Sequence, residues 1–239
     1  MKPLIVFCLI LLIFFGCSNQ NESKYMQDKK IYEFSWCSYK DGFKAQDLNN
    51  ELISYLGFLG NLEEQYGLYK ETKYLDPSFK QKKYDFSWLD IFENELEKKA
   101  FYEFAQNSEI HKNWLSSKDE IIGCDSQKQI FYETRIMDDY EFSDGDQIYV
   151  GFCKLKDGFD LNYLISEIRR NSVFVERPYN QAVLTPKFNM IDFNVLIYLE
   201  TNFVIDNLDL IKKNGLDNAC EEYENYSTNS LLFNTYIID

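Results

Sequence analysis

The sequence predicts an α+β chain built from two copies of one βαββαβ unit. The first observation behind this prediction is a repeated motif, since CSYKDGF begins at Cys37 and CKLKDGF begins at Cys153. The second is a change of hydrophobic period at each copy, from the two-residue period of a strand to the 3.6-residue period of a helix. The third is that the elements after each motif follow in the same order.

Each KDGF is predicted to be the turn that joins a strand to a helix, with Asp and Gly as the turn residues. Apolar side chains alternate before each cysteine: Tyr32, Phe34 and Trp36 in the first copy, and Ile148, Val150 and Phe152 in the second. Helical spacing follows each turn: Ala45, Leu48, Leu52, Tyr55 and Leu59 in the first copy, and Leu161, Leu164, Ile165 and Ile168 in the second.

The later elements complete the unit twice. In the first copy the pattern predicts strands at 66–74 and 84–91, a helix at 93–106 and a last strand at 130–136. In the second copy it predicts strands at 182–185 and 193–199, a helix at 203–213 and a last strand at 232–238. The predicted boundaries are 30–138 for the first half, 139–146 for an acidic linker and 147–239 for the second half.

This element order resembles the split βαβ arrangement of ferredoxin-like folds. Two such halves in one chain resemble a fused dimeric α+β barrel, in which two sheets face each other. Proteins with this barrel include cofactor-free monooxygenases and haem enzymes, so the resemblance implies that a site inside the barrel is to be considered. The chain is also similar to uncharacterised bacterial proteins that duplicate a strand ending in Trp-Cys, here Trp36-Cys37, and a later strand centred on Trp88. That second resemblance implies no activity.

The N-terminus has the order of a secretory signal, with an apolar run from Leu4 to Phe15 followed by Gly16, Cys17 and polar residues. Gly16-Cys17 resembles the lipobox of bacterial lipoproteins, which implies lipidation at Cys17 after removal of residues 1–16. Residues 17–29 would then be the lipidated end and a polar tether. A signal cut elsewhere, releasing a secreted protein, is the alternative. The lipoprotein interpretation predicts a cell-envelope location, and Ser18 after the cysteine favours the outer membrane over the inner one.

The charge of the chain limits its partners. With 25 basic and 39 acidic residues, the formal net charge is −14. Such a surface repels phosphate backbones, so nucleic acid is not an expected partner. The expected partners are the membrane, through the N-terminal lipid, and either a small apolar ligand or another envelope protein.

Four cysteines remain after Cys8 and Cys17 are set aside: Cys37, Cys124, Cys153 and Cys220. An exported chain meets an oxidising compartment, which favours disulfides over free buried thiols. Three connectivities are possible, and one is favoured because the first and last strands of a ferredoxin-like unit are antiparallel neighbours. The prediction is Cys37–Cys124 and Cys153–Cys220. A metal site is not expected, since the sequence contains no C-x-x-C pair.

No catalytic residue, cofactor site or metal site is predicted from the sequence. A haem would need an axial ligand, and the single histidine, His111, is predicted to lie in a loop or at the surface. Four residues form a candidate pocket between sheet and helices, with core packing as the alternative: Trp36, Tyr39, Trp88 and Asp90. The first expectation for function is therefore a non-catalytic, membrane-anchored module that binds a ligand or protein. The alternative is a cofactor-free, monooxygenase-like oxidoreductase that uses the barrel cavity.

Overall fold

The computed structural model describes residues 29–66, 70–77, 84–138, 146–172, 179–188, 194–202 and 217–233. The strands in these ranges are β1 Ile31–Tyr39, β2 Glu71–Pro77, β3 Phe86–Phe92, β4 Ile122–Cys124, β5 Gln129–Asp138, β6 Gln147–Leu155, β7 Asn180–Pro186, β8 Val195–Thr201 and β9 Cys220–Phe233. The helices are α1 Ala45–Tyr66, α2 Glu95–Asn107, α3 Glu109–Ile121, α4 Leu161–Ser172 and the short α5 Asp217–Ala219.

The described strands pair antiparallel and close into a ring. Neighbours follow the order β3-β2-β9-β6-β8-β7-β5-β1, and β1 pairs back onto β3. The pairs β2–β9 and β5–β7 join the first half of the chain to the second. β4 lies beside the C-terminal end of β1, where Cys37 is opposite Cys124. The predicted α+β class is confirmed, and the sheet curves into an α+β barrel.

The repeated KDGF motif forms the same turn in both halves. Gly42 has a φ of 89° and Gly158 a φ of 86°, which is the left-handed region that glycine adopts without a steric cost. In each copy the amide of the following phenylalanine donates to the carbonyl of the motif's lysine, at 3.0 and 3.1 Å. Both turns predicted from the sequence are therefore present.

Side chains from both halves pack inside the ring: Tyr32, Phe34, Leu75, Leu89, Ile91 and Phe131 from the first half, and Ile148, Val150, Ala182, Leu184, Leu196 and Tyr198 from the second. A buried ion pair across the two halves lies beside them, between Lys73 of β2 and Glu200 of β8. Two further apolar clusters lie between the outer face of the ring and the helices, one in each half. The ring interior is thus a packed core.

Four elements differ from the sequence prediction. Helix α3 was not predicted, and it begins after Ser108, whose side chain accepts a hydrogen bond from the His111 amide at 3.3 Å. Cys124 lies in a short strand of its own, and β2 begins at Glu71 because α1 continues through Tyr66. The last strand begins at Cys220 instead of 232, because β9 gains its hydrogen bonds from two neighbours, β6 and β2.

Several predictions lie outside the described residues. These are the signal segment with Cys17, most of the linker (139–145), the second-half helix at 203–213 and the end of the last strand after 233. Among the helices that are described, none has both the length and the apolar content needed to cross a bilayer.

Candidate functional site

A cavity of about 840 Å³ lies between the outer face of the first-half sheet and the helices that cover it. Strands β1, β3 and β4 contribute side chains on one side, and helices α1, α2 and α3 contribute them on the other. The volume lies within the range of about 300–1,000 Å³ that is typical of small-molecule sites. We call this space the first-half cavity. It lies outside the strand ring, between sheet and helices, which is the place predicted for the candidate pocket; only the alternative function required a cavity inside the barrel.

Aromatic rings form much of the cavity wall. The ring of Tyr55 stacks on Trp114 with centroids 3.8 Å apart and an interplanar angle of 17°. The ring centroids of Trp88 and Trp114 are 6.0 Å apart, and those of Phe101 and Tyr102 are 5.7 Å apart. Trp114 is only 8% exposed, and its indole N–H has no hydrogen-bond acceptor among the residues that the structure describes. The wall therefore offers flat apolar surface and one unused donor.

Lys70, directly before β2, is a buried cation in this wall, with 3% exposure. Its Nζ atom lies 2.9 Å from Asp90 Oδ1 and donates to the Tyr55 hydroxyl at 2.7 Å. Thr72 Oγ1 donates to the same Asp90 oxygen at 2.8 Å. Burial, and then the charge of Asp90, raises the pKa of Tyr55 well above its usual value, so its hydroxyl stays protonated. The cavity thus contains a paired cation and carboxylate out of contact with bulk water.

His111, the single histidine of the chain, lines the same cavity. The predicted position in a loop or at the surface is wrong, because His111 lies in α3 and is 9% exposed. The rings of Tyr55, Phe101 and Trp114 surround it at centroid distances of 6.0, 6.2 and 5.8 Å. Burial, and then the charge of Lys70, lowers the pKa of His111 to about 4. Its imidazole is therefore neutral at neutral pH.

We expect His111 to make the folded protein less stable as the pH falls from 6.5 to 4. Its usual pKa is about 6.5, so in this window the unfolded chain binds a proton that the folded chain does not, and stability is lost as pH falls. The loss should reach about 2–3 kcal/mol near pH 4. Urea unfolding of the wild type and of His111→Gln at pH 7, 5.5 and 4.5 measures it. Equal pH slopes for the two proteins would contradict the assignment.

A second charged cluster supports the edge of the cavity. Glu33 of β1 is bonded to Lys98 at 2.6 Å and also to Lys128 and Tyr102. Burial alone would raise the pKa of Glu33, but the charges of Lys128 and Lys98 lower it to about 2. Lys128 also donates to the Tyr102 hydroxyl at 2.7 Å. The cluster fixes two lining residues, Lys128 and Tyr102, relative to the sheet.

A disulfide also forms part of the cavity wall. Cys37 is bonded to Cys124 across the β1–β4 pair, with Cα atoms 4.0 Å apart, and both residues line the cavity. Cys153 is bonded to Cys220 in the second half, with Cα atoms 5.5 Å apart. These are the two pairs expected from the sequence.

The four candidate pocket residues divide into two groups. Trp88 and Asp90 line the cavity, as the sequence analysis proposed. Trp36 packs against the ring interior and donates to Gln129 at 3.1 Å, while Tyr39 packs on Phe86. Alternation along β1 explains the position of Trp36, because a side chain at an even position there faces the ring interior. Tyr39 is on the opposite face of β1 and packs against the first-half apolar cluster.

Four important lining residues were not proposed from the sequence: Tyr55, Lys70, His111 and Trp114. A signal was present for two of them, since His111 and Trp114 are three residues apart and share a face if the segment is helical. Lys70 carried no local signal, because its role depends on β2 lying next to β3.

The second half is apolar at the matching positions. Strand register places Glu33 opposite Asp90 in the first half and Tyr149 opposite Leu199 in the second. Tyr149 and Leu199 belong to the apolar cluster under the second-half helix. The fold therefore does not require charged side chains at the positions of Glu33 and Asp90.

Haem is the cofactor that the barrel resemblance implies, and the cavity residues do not fit it. The single imidazole has a pKa lowered by burial and by a neighbouring ammonium, whereas an axial histidine normally gains basicity from an acceptor on its second nitrogen. The cysteines that line the cavity are both bonded to each other. Within the described ranges, no group of three or more His, Cys, Asp or Glu side chains is arranged to hold a metal ion.

Comparison with protein-family models gives no match, and comparison with curated proteins gives none either. Solved structures do match. A mutant chlorite dismutase from Candidatus Nitrospira defluvii has 9% identity and a TM-score of 0.54, covering 87% of this chain and 94% of that one. A "putative monooxygenase" from Lactobacillus acidophilus has 8% identity and a TM-score of 0.54, covering 87% and 97%. A protein of the same description from Fusobacterium nucleatum has 11% identity and a TM-score of 0.54, covering 86% and 94%.

These neighbours contradict the first expectation for function, a non-catalytic binding module, because they are named as enzymes. At identities of 8–11%, the likeness itself establishes the fold: the chain has the α+β barrel fold of chlorite dismutase and of these monooxygenase-like proteins.

Proposed function

We propose that the protein is a cofactor-independent, monooxygenase-like oxidoreductase and that its active site is the first-half cavity. The observation that carries this proposal is the buried Lys70–Asp90 pair in an aromatic cavity large enough for a substrate. Breaking such a pair is costly, and an apolar replacement is often neutral or stabilising. In the second half, the position that matches Asp90 is occupied by the apolar residue Leu199. The fold therefore tolerates an apolar residue there, which favours a functional reason for the charges of the first half.

The reaction that suits these residues converts an activated methylene next to an aromatic ring into a carbonyl. The overall change is R₂CH₂ + O₂ → R₂C=O + H₂O, so the substrate supplies all four electrons that reduce O₂ and no separate reductant is needed. Asp90 accepts the first proton from carbon, and the substrate anion that results is stabilised by Lys70. Negative charge moves from the Asp90 carboxylate to the substrate, so the net negative charge beside the buried ammonium is the same before and after the step.

The remaining steps involve dioxygen and the same two residues. The carbanion gives an electron pair to O₂ and forms a C–O bond, and Asp90 returns its proton to give a hydroperoxide. Asp90 then removes the second carbon-bound proton, the C–H electron pair forms the C=O bond as the O–O bond breaks, and the departing hydroxide takes that proton from Asp90 to leave as water. Trp114 and Tyr55 hold the flat substrate against the wall, and the neutral His111 adds no second cation beside Lys70.

Oxygen uptake tests this function. With anthrone, a ring-flanked methylene compound, we expect one O₂ consumed for each ketone formed and one ¹⁸O atom in the ketone when ¹⁸O₂ is used. Asp90→Asn should lower the rate by at least about a hundredfold, since it removes the proton acceptor. No uptake above the buffer rate with anthrone or its 1,8-dihydroxy derivative would contradict the proposal.

We also propose that the two halves arose by duplication of one βαββαβ unit. Matching hydrogen bonds support this, because the Lys40 amide donates to the Ile121 carbonyl and the Lys156 amide donates to the Ala219 carbonyl, both at 2.9 Å. Each half also has the strand order of a ferredoxin-like unit, β5-β1-β3-β2 in the first and β9-β6-β8-β7 in the second.

We propose that the enzyme is held at the cell envelope by a lipid on Cys17, which the apolar run ending in Gly16 supports. Cys17→Ser should abolish incorporation of labelled palmitate and leave the signal segment uncut. Cys8→Ser is the matched control, because Cys8 lies inside the segment to be removed. Normal labelling of the Cys17 variant would contradict the anchor.

A further inference from the structure

The first-half cavity has the opposite charge balance from the rest of the protein. Five lysines line it: Lys40, Lys70, Lys112, Lys118 and Lys128. Three carboxylates line it: Asp90, Asp119 and Asp125. The ion pairs next to the lining residues add Lys98, Glu33 and the exposed Glu109, which makes six lysines and five carboxylates in all. The whole chain has a net charge of −14, so the cavity attracts anions that the remaining surface repels.

Two hydrogen-bond donors inside the cavity are without acceptors. An ammonium has three N–H bonds, and Lys70 uses two of them, to Tyr55 and Asp90. The third N–H has no oxygen or nitrogen acceptor among the residues that the structure describes, and the ammonium lies 4.6 Å from the centroid of the Phe101 ring. The Trp114 indole N–H is the second such donor. Buried donors of this kind are destabilising unless an acceptor is supplied, and a ligand oxygen would supply it.

The two donors lie around one aromatic ring. The Lys70 Nζ atom is 5.1 Å from the centroid of the Tyr55 ring, and Trp114 stacks on that ring at 3.8 Å. Trp88 lies 6.3 Å from the same ring. The cavity therefore combines flat aromatic surface with donors at its edge, which suits a planar ligand with a polar substituent.

We infer that the first-half cavity binds a planar aromatic molecule bearing an anionic oxygen, and that this oxygen is held between the Lys70 ammonium and the Trp114 indole N–H. The inference deepens the proposed function, on which it rests, by naming the substrate class. An aromatic carboxylate and a phenolate share the required chemistry. The oxygen would accept the unused N–H of each donor and give the cavity the negative charge that its lysines favour.

Calorimetric titration of the full chain with 2-naphthoate and with 2-naphthamide tests the inference. The two probes have nearly the same shape, and only the first is an anion at pH 7. We expect 2-naphthoate to bind at least about tenfold more tightly, because a hydrogen bond to a charged group is stronger than one to a neutral group. A third probe, 2-naphthol, distinguishes a site for aromatic carboxylates from a site for phenolates. A phenolate site would bind 2-naphthol as its anion, and the bound probe would show the absorption spectrum of that anion.

Variants locate the binding site. Trp114→Phe keeps an aromatic ring but removes the donor, and it should weaken 2-naphthoate binding about tenfold. Trp36→Phe is the matched control, because that indole N–H is bonded to Gln129 and faces away from the cavity; its affinity should equal that of the wild type. Thermal unfolding with and without 2-naphthoate checks that each variant is folded and gives an independent measure of binding.

The outcomes separate this inference from the proposed reaction. Preferred, Trp114-dependent binding of 2-naphthoate, together with no oxygen uptake with anthrone or its 1,8-dihydroxy derivative, supports the anion site and overturns the oxidoreductase proposal. Equal affinity for 2-naphthoate and 2-naphthamide, or no binding of either, overturns the anion site. Unchanged affinity in Trp114→Phe overturns the placement of the oxygen.

Discussion

Lys70→Met destabilises the protein by about 3–5 kcal/mol, because it leaves the Asp90 carboxylate buried without its cation. The same change abolishes 2-naphthoate binding and oxygen uptake, since the ammonium is the group that would hold the anion. Urea unfolding gives the stability and calorimetry gives the affinity. Lys154→Met is the control: its ion pair with Glu221 spans 3.4 Å and is largely exposed, so it should change stability by less than about 1 kcal/mol.

A double variant separates a structural role from a functional one. Lys70→Met combined with Asp90→Leu copies the apolar second half, where Leu199 occupies the matching position. We expect most of the stability to return, to within about 2 kcal/mol of the wild type, because no buried charge remains and only two hydroxyl partners are lost. Binding and turnover should stay absent. A stable double variant that still binds 2-naphthoate would show that the ion pair does not form the site.

The parts of the fold that were predictable are those with a strong local pattern. Strands β1 and β6 each have apolar side chains at every second position, and the Asp-Gly turns need the left-handed backbone that Gly42 and Gly158 adopt. Both signals depend on neighbouring residues only. The strand order could then be predicted from the element order, because the ferredoxin-like unit pairs its first and last strands.

Helix α3 was not predicted because the apolar residues of its sequence do not mark the face that is buried. Ile110 is 59% exposed, while the neighbouring polar residue His111 is buried. Hydrophobicity therefore predicts that the side chain of Ile110 is buried, whereas the buried side chain is that of the next residue, His111. Burial of His111 is possible because Tyr55, Phe101 and Trp114 come together around it, and three separate helices supply those rings.

Strand β9 and the Lys70 site show the other limit. Residues 220–233 include many polar side chains, and they form a strand because β6 and β2 offer free edges on both sides. Lys70 becomes part of a site because β2 and β3 are adjacent, which brings it to Asp90. Contacts of this kind follow from the assembled ring and have no counterpart in local spacing.

The Cys37–Cys124 disulfide should be reduced before Cys153–Cys220 in the folded protein. Thiol exchange needs access to a sulfur, and Cys124 is exposed, whereas Cys153 and Cys220 are 0% and 5% exposed. Limited treatment with a thiol reductant, followed by alkylation and peptide mapping, measures the order. Simultaneous reduction, or earlier reduction of the second pair, would contradict the prediction.

Loss of the first disulfide should also weaken the cavity. In the chain-entropy model a bridge that closes a loop of this length stabilises the fold by about 4–5 kcal/mol, so the Cys37→Ser/Cys124→Ser variant should lose that amount. β4 pairs with β1 at only three positions, one of which is the bridge itself. Without the bridge this short strand should separate from the sheet, and 2-naphthoate affinity should fall. Cys153→Ser/Cys220→Ser is the matched control, and its stability loss should be similar because its loop is nearly as long. Its bridge lies in the other half, so under conditions where the variant is fully folded its affinity for 2-naphthoate should equal that of the wild type.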